Sequence, residues 1–146
     1  MKRSIIVFAA ILKVITATAF VGARPGGNPA EATFQKEFTG ATNVKWTEGK
    51  DVISASFNLS ESRIIAYFTT EGELLGTERN VLFNQLPLAV IREINNRYGN
   101  APISDIVEYT SGIDTFYGMY VDTPTKHLKL KISSEGDVTV VKKTKK

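Results

Sequence analysis

One pattern occurs twice along this chain: a short amphipathic stretch, then several β-prone runs, with the last two joined by a glycine-centred turn. In the first half that turn reads Thr69-Thr70-Glu71-Gly72-Glu73, and in the second half Ser133-Ser134-Glu135-Gly136-Asp137. The two match in character position by position, and small polar residues around glycine are what a tight hairpin turn requires. A chain that repeats its own order must fold as two related halves or as two units of one sheet.

The first half starts with a helix predicted over residues 29–38. Asn28 is placed to cap it, Pro29 fits the first turn, and Gly40 ends it. Ala30, Phe34 and Phe38 fall four apart and so share a face. Strands are predicted at 43–46, 51–59, 63–69 and 74–79. Within the second of these, Ile53, Ala55 and Phe57 alternate with Val52, Ser54 and Ser56. The second half opens at Leu86-Pro87 with a helix whose apolar residues are Leu88, Ile91 and Ile94, and Tyr98-Gly99 closes it. Strands follow at 103–110, 116–121, 128–132 and 138–143.

Short, closely spaced strands favour antiparallel hairpins. The expected fold class is therefore α+β, a tandem repeat of a helix followed by about four antiparallel strands. The half-repeats are expected at about 30–81 and 86–146, within one domain over 30–146. One short helix covers only part of a four-strand apolar face. Two units side by side extend the sheet to about eight strands, with both helices packed on one face of a shared sheet and the other face free.

Residues 1–23 read as a signal peptide. Lys2 and Arg3 precede a nearly apolar run from Ser4 to Leu12, and Val21-Gly22-Ala23 supplies the small residues a signal peptidase accepts. Lys13 interrupts the apolar stretch. The alternative is retention as an anchor, since residues 4–23 are about one bilayer thickness long. A lysine at mid-membrane costs roughly 2.5–3.5 kcal/mol, which disfavours a permanent span. Residues 24–29, rich in glycine and proline, form a flexible linker. The expected location is periplasmic or secreted, with no stable membrane span after signal removal.

Removing Lys2, Arg3 and Lys13 brings the formal charge from +3 to zero. The remaining charge is uneven, because seven lysines lie from Lys126 onward against Glu135 and Asp137 alone. An acidic body with a basic end is a weak field for nucleic acid, and none is expected as a partner. There are no cysteines, which excludes disulfides, thiolate metal sites and cysteine nucleophiles.

Phe34-Gln35-Lys36-Glu37-Phe38 followed by Ala41-Thr42-Asn43-Val44-Lys45-Trp46 resembles the opening of the small secreted PepSY-like proteins of Bacteroidetes. The centre is similar too: Phe68, Glu71-Gly72-Glu73-Leu74, Leu86-Pro87-Leu88-Ala89-Val90 and Tyr98. The resemblance covers residues from about Thr33 to the C-terminus. It implies a tandem α+β fold like that of the β-lactamase inhibitor protein, a place in the periplasm or outside the cell, and inhibition of a secreted enzyme as one suggested role. The lack of cysteine departs from that inhibitor, and no binding motif of it can be carried over to these residues.

The search for chemistry returns few parts. His127, the only histidine, lies in register with Lys129 and Lys131 and is expected to face solvent. No nucleophile-elbow, Walker or dinucleotide glycine motif accompanies it. Glu71, Glu73, Glu135 and Asp137 fit hairpin turns better than a calcium loop. No catalytic residue, metal site or cofactor is expected, and the chain is expected not to be an enzyme. The aromatic pairs Tyr67/Phe68 and Phe116/Tyr117 must each split between the two sides of a strand. Tyrosine is expected to be the outward member, because its hydroxyl needs water or a partner. The expected partner-binding residues are Tyr67, Tyr117 and Tyr120, with Trp46 as an anchor that otherwise packs beneath the first helix.

These readings predict an exported binding module, an inhibitor or regulator of another exported protein. The alternative is binding of a small ligand or an anionic envelope polymer by the aromatic sheet face. The basic stretch 142–146 would assist it, or serve only as a solvated end.

Overall fold

The computed structural model describes residues 27–146, so the expected signal segment and the first half of the linker lie outside the described residues. Among the described residues the chain is α+β, with helix α1 (Ala30–Glu37) followed by β1 (Thr42–Glu48), β2 (Ile53–Leu59), β3 (Ser62–Phe68) and β4 (Leu74–Asn80). A 3-10 turn (Phe83–Gln85) leads to α2 (Leu88–Tyr98), β5 (Ile103–Ser111), β6 (Asp114–Asp122), β7 (Lys126–Ser133) and β8 (Val138–Lys145). The eight strands neighbour one another in chain order in one sheet. The compact units divide inside β4, between Thr77 and Glu78.

In the first unit, Asn28 begins α1. Its Oδ1 accepts from the Ala30 N–H at 2.9 Å and its carbonyl from the Glu31 N–H at 3.0 Å, satisfying two otherwise orphaned donors. The helix stops where Phe38 N–H returns to the Phe34 carbonyl and Gly40 takes φ +86°. Ala30 and Phe34 are buried against Ile53, Ala55, Phe57, Ala66 and Phe68. Ala55 and Ala66 lie directly opposite each other on β2 and β3, and side chains this small leave room for large rings. Phe34 stands edge-on to Phe57 at 4.9 Å between ring centroids, a favoured aromatic arrangement.

In the second unit, Leu86, Val90 and Ile94 pack on Tyr117, Met119, Val121, Leu128, Leu130 and Ile132. This changes the expected helix face. Leu88 is 70% exposed, while Val90 and Ile94 are fully buried. At about 100° per residue, Leu88 sits some 200° around the helix from Val90, so it cannot share that contact. The side of α2 that faces the strands is the Val90–Ile94 row, flanked by Ile91.

The two glycine turns use the same hydrogen bonds. Thr69 N–H donates to the Glu73 carbonyl at 2.8 Å and Gly72 N–H to the Thr69 carbonyl at 3.0 Å. Ser133 N–H donates to Asp137 at 3.0 Å and Gly136 N–H to Ser133 at 3.1 Å. In each turn the first hydroxyl also accepts from the last amide, Glu73 to Thr69 at 3.1 Å and Asp137 to Ser133 at 3.0 Å. Both glycines have positive φ, +94° at Gly72 and +100° at Gly136. Each also sits against the first turn of the helix of its own unit, Gly72 against Pro29 and Gly136 against Ala89.

The basic end differs from a free tail. Lys142, Lys143, Thr144 and Lys145 belong to β8 and lie opposite Lys129, Leu128, His127 and Lys126 on β7. The ladder fixes their backbone and register, and all four remain exposed.

Candidate functional site

Strands β5 to β7 carry the second unit's most distinctive surface. Along β6, Tyr117, Met119 and Val121 are buried under α2, so Phe116, Gly118, Tyr120 and Asp122 point to the other side. Along β7, Leu128, Leu130 and Ile132 are buried, which turns His127, Lys129 and Lys131 outward. Register then sets the outward neighbours: Tyr120 opposite Lys129, Gly118 opposite Lys131, Asp122 opposite His127, and Tyr109 of β5 opposite Phe116.

The result is a row of aromatic rings overlain by ammonium groups. Lys131 Nζ lies 4.2 Å from the Phe116 ring centre, and Lys129 Nζ lies 5.5 Å from that of Tyr120. Both distances are within cation–π range. Burial draws the Lys131 pKa down, against the opposing pull of Asp114. Tyr109 crosses the bare backbone of Gly118, where a Cβ would lie 3.2 Å from its Cε2. Burial first, then the charge of Glu78 and the neighbouring Tyr120, pushes the Tyr109 hydroxyl up to about 12. At one end of the row Asp122 Oδ1 meets His127 Nδ1 at 2.9 Å and Lys146 Nζ at 2.8 Å. The hydrogen bond from Lys146, aided by the charges of His127 and Lys146, holds the Asp122 carboxyl below its ordinary pKa.

The expected partner-binding residues separate on this geometry. Tyr120 faces outward and is 41% exposed. Tyr117 does not. It is 5% exposed in the core beneath α2, and Phe116 takes the outward place instead. The hydroxyl of Tyr117 finds its partner within the protein, donating to Glu108 Oε2 at 3.4 Å. Glu108 Oε1 in turn accepts from Arg79 Nε at 2.6 Å. Burial, with Glu108 alongside, raises the Tyr117 pKa.

Tyr67 lies on the side of β3 away from Phe68 and is nevertheless only 9% exposed, opposite the equally buried Ser54. Trp46 packs against the first unit's core, 5.2 Å from Phe34 and 5.8 Å from Phe68 between ring centres. His127 is exposed as expected, and it is paired with Asp122.

The sequence reading missed Phe116 and the two lysines lying on the rings. The signal was present in β6: of its two alternating sets, Tyr117/Met119/Val121 is the more apolar and belongs inside. Among the described residues, no group of three or more His, Cys, Asp or Glu is placed to hold a metal ion.

Comparison with solved structures gives the fold. A BLIP-like protein from Bacteroides fragilis is 21% identical, with a TM-score of 0.71 over 85% of this chain and 89% of its own. A DUF2874 family protein from Bacteroides ovatus is 19% identical, with a TM-score of 0.70 over the same shares, 85% and 89%. A suspected periplasmic protein from Bacteroides eggerthii is 13% identical, with a TM-score of 0.70 over 85% and 89%. The fold is thus the BLIP-like one that the sequence resemblance implies. No family model matches the sequence. No curated protein matches it either.

Proposed function

We propose that this chain is an exported, non-catalytic binding module, an inhibitor or regulator that docks another exported protein on the outward face of β5, β6 and β7. The observation that carries this reading is the Phe116–Tyr120 row with Lys131 and Lys129 laid across the rings. Aromatic side chains supply much of the binding energy at protein interfaces, and rings already packed on a sheet lose little entropy when a partner arrives.

Export is supported by the charged start, apolar run and small residues of positions 1–23, and by the suspected periplasmic location of the Bacteroides eggerthii protein. The module acts in the periplasm or outside the cell. The same reading treats the two units as copies of one helix-and-four-strand module. Its support is the matched hydrogen bonding of the turns at Gly72 and Gly136.

The test is photocrosslinking in the producing cell, with benzoylphenylalanine at position 120 and, as control, at the exposed Lys36 of α1. A discrete adduct from position 120 alone is the expected result. Adducts equally abundant from position 36, or none from position 120, would sink the reading.

A second reading is favoured by one further observation: Lys142 lies opposite Lys129 and widens the cationic strip. An anionic envelope polymer then occupies the same face. Binding that disappears as salt rises from 50 to 500 mM, and that Lys129→Gln with Lys131→Gln abolishes, separates this from protein docking on the rings.

A further inference from the structure

Among the described residues the last strand of the sheet, β8, has a neighbour only in β7, so every second backbone N–H and C=O along it faces outward. Eight residues make this edge about 26 Å long. Besides two threonines, its side chains are valines and lysines. Val140 and Val141 are 48% and 44% exposed, while Lys142, Lys143 and Lys145 surround the second half with positive charge. Lysines occur on edge strands to prevent self-pairing. That purpose alone does not account for two adjacent exposed valines, which invite a strand rather than repel one.

The charge also lies on both sides of the strand. Lys142 is on the face of Lys129, and Lys143 and Lys145 are on the face of Leu128 and Lys126. We propose that β8 is a docking edge for an extended acidic polypeptide segment, which adds to the sheet as a further strand and places carboxylates beside these lysines. Backbone pairing supplies the register, the valines supply apolar contact, and the lysines select for acidic sequence. A second copy of this chain is disfavoured as occupant, because it would bring the same three lysines to the same edge. Lys126 already shows the excess, since Lys143 beside it draws its pKa down. This edge shares Lys142 with the strip beside the rings but none of the rings themselves, and the proposal does not depend on that reading.

The test uses the full chain and the peptide acetyl-(Glu-Val)5-amide, followed by hydrogen exchange. The peptide should slow exchange of amides within 138–145. Its affinity should fall at least tenfold with the same peptide N-methylated at every residue, which keeps the charge but has no N–H donor along its backbone. The variant carrying Lys142→Gln, Lys143→Gln and Lys145→Gln should lose a similar factor, while Tyr120→Ala should leave affinity unchanged. Polygalacturonate or the N-methylated peptide binding as tightly as the parent would overturn the proposal, because charge alone would then suffice. So would concentration-dependent protection of β8 without peptide, which identifies a second copy as the occupant, or no binding at all.

Discussion

Gly72 lies so close to Pro29 that a Cβ added to it would stand 2.3 Å from the Pro29 carbonyl oxygen. Gly136 holds the same place against Ala89, with more room at 3.1 Å. In each unit the final hairpin turn is therefore wedged against the start of the helix, and glycine is needed both for φ and for clearance.

Substitution at these two positions should rank by clearance. Gly72→Ala combines the strain of positive φ with a backbone clash and should cost about 3 kcal/mol or more. Gly136→Ala carries the same φ strain but meets only a tight contact, and should cost about 1–2 kcal/mol. Urea melts of the two variants check the order. Equal midpoints would show that the turn at Gly72 moves off the helix at little cost.

Helix α2 should be tolerant where the sequence looked apolar and intolerant one step around. Leu88→Gln, at a 70% exposed site, should change stability by no more than about 0.5 kcal/mol. Ile94→Ala opens a fully buried site and should cost about 2–5 kcal/mol. Thermal unfolding of both variants measures the contrast.

Tyr109 links stability to alkaline pH. Its hydroxyl is raised from 10.0 to about 12, so the neutral form is favoured by folding. The corresponding stability is fully present below pH 10 and is lost as pH rises through 12. With solvent screening of this half-buried group, the loss should be about 1 kcal/mol. Tyr109→Phe should remove that part of the decline, read from urea midpoints at pH 9 and pH 12.

Asp122 should respond at the acid end. Its carboxyl is held below 3.8 chiefly by Lys146, so the stabilisation exists above that value and disappears as pH falls through the lower folded pKa. Replacing Lys146 with Gln should move the Asp122 titration toward 3.8, as followed by its carboxyl carbon resonance. An unmoved titration would assign the shift to His127.

Processing has a direct readout. Cleavage after Ala23 leaves Arg24 as the first residue, and intact mass of the exported protein should show it. A mass that retains residues 1–23 would support an anchor instead.

Much of this protein is determined by local sequence. The Asn28 cap, the Phe34 stripe, the Ile53/Ala55/Phe57 alternation and the two glycine turns all depend on neighbours a few residues away, and each was legible without coordinates. The candidate face was legible only in part. A period of two states that Phe116 and Tyr120 share one side of β6 and Tyr117 the other, but it does not name the side that meets a helix. Tertiary structure decided that. Val90 and Ile94 of α2 cover the Tyr117 side, and Glu108 on the next strand satisfies the hydroxyl that would otherwise have kept tyrosine in water.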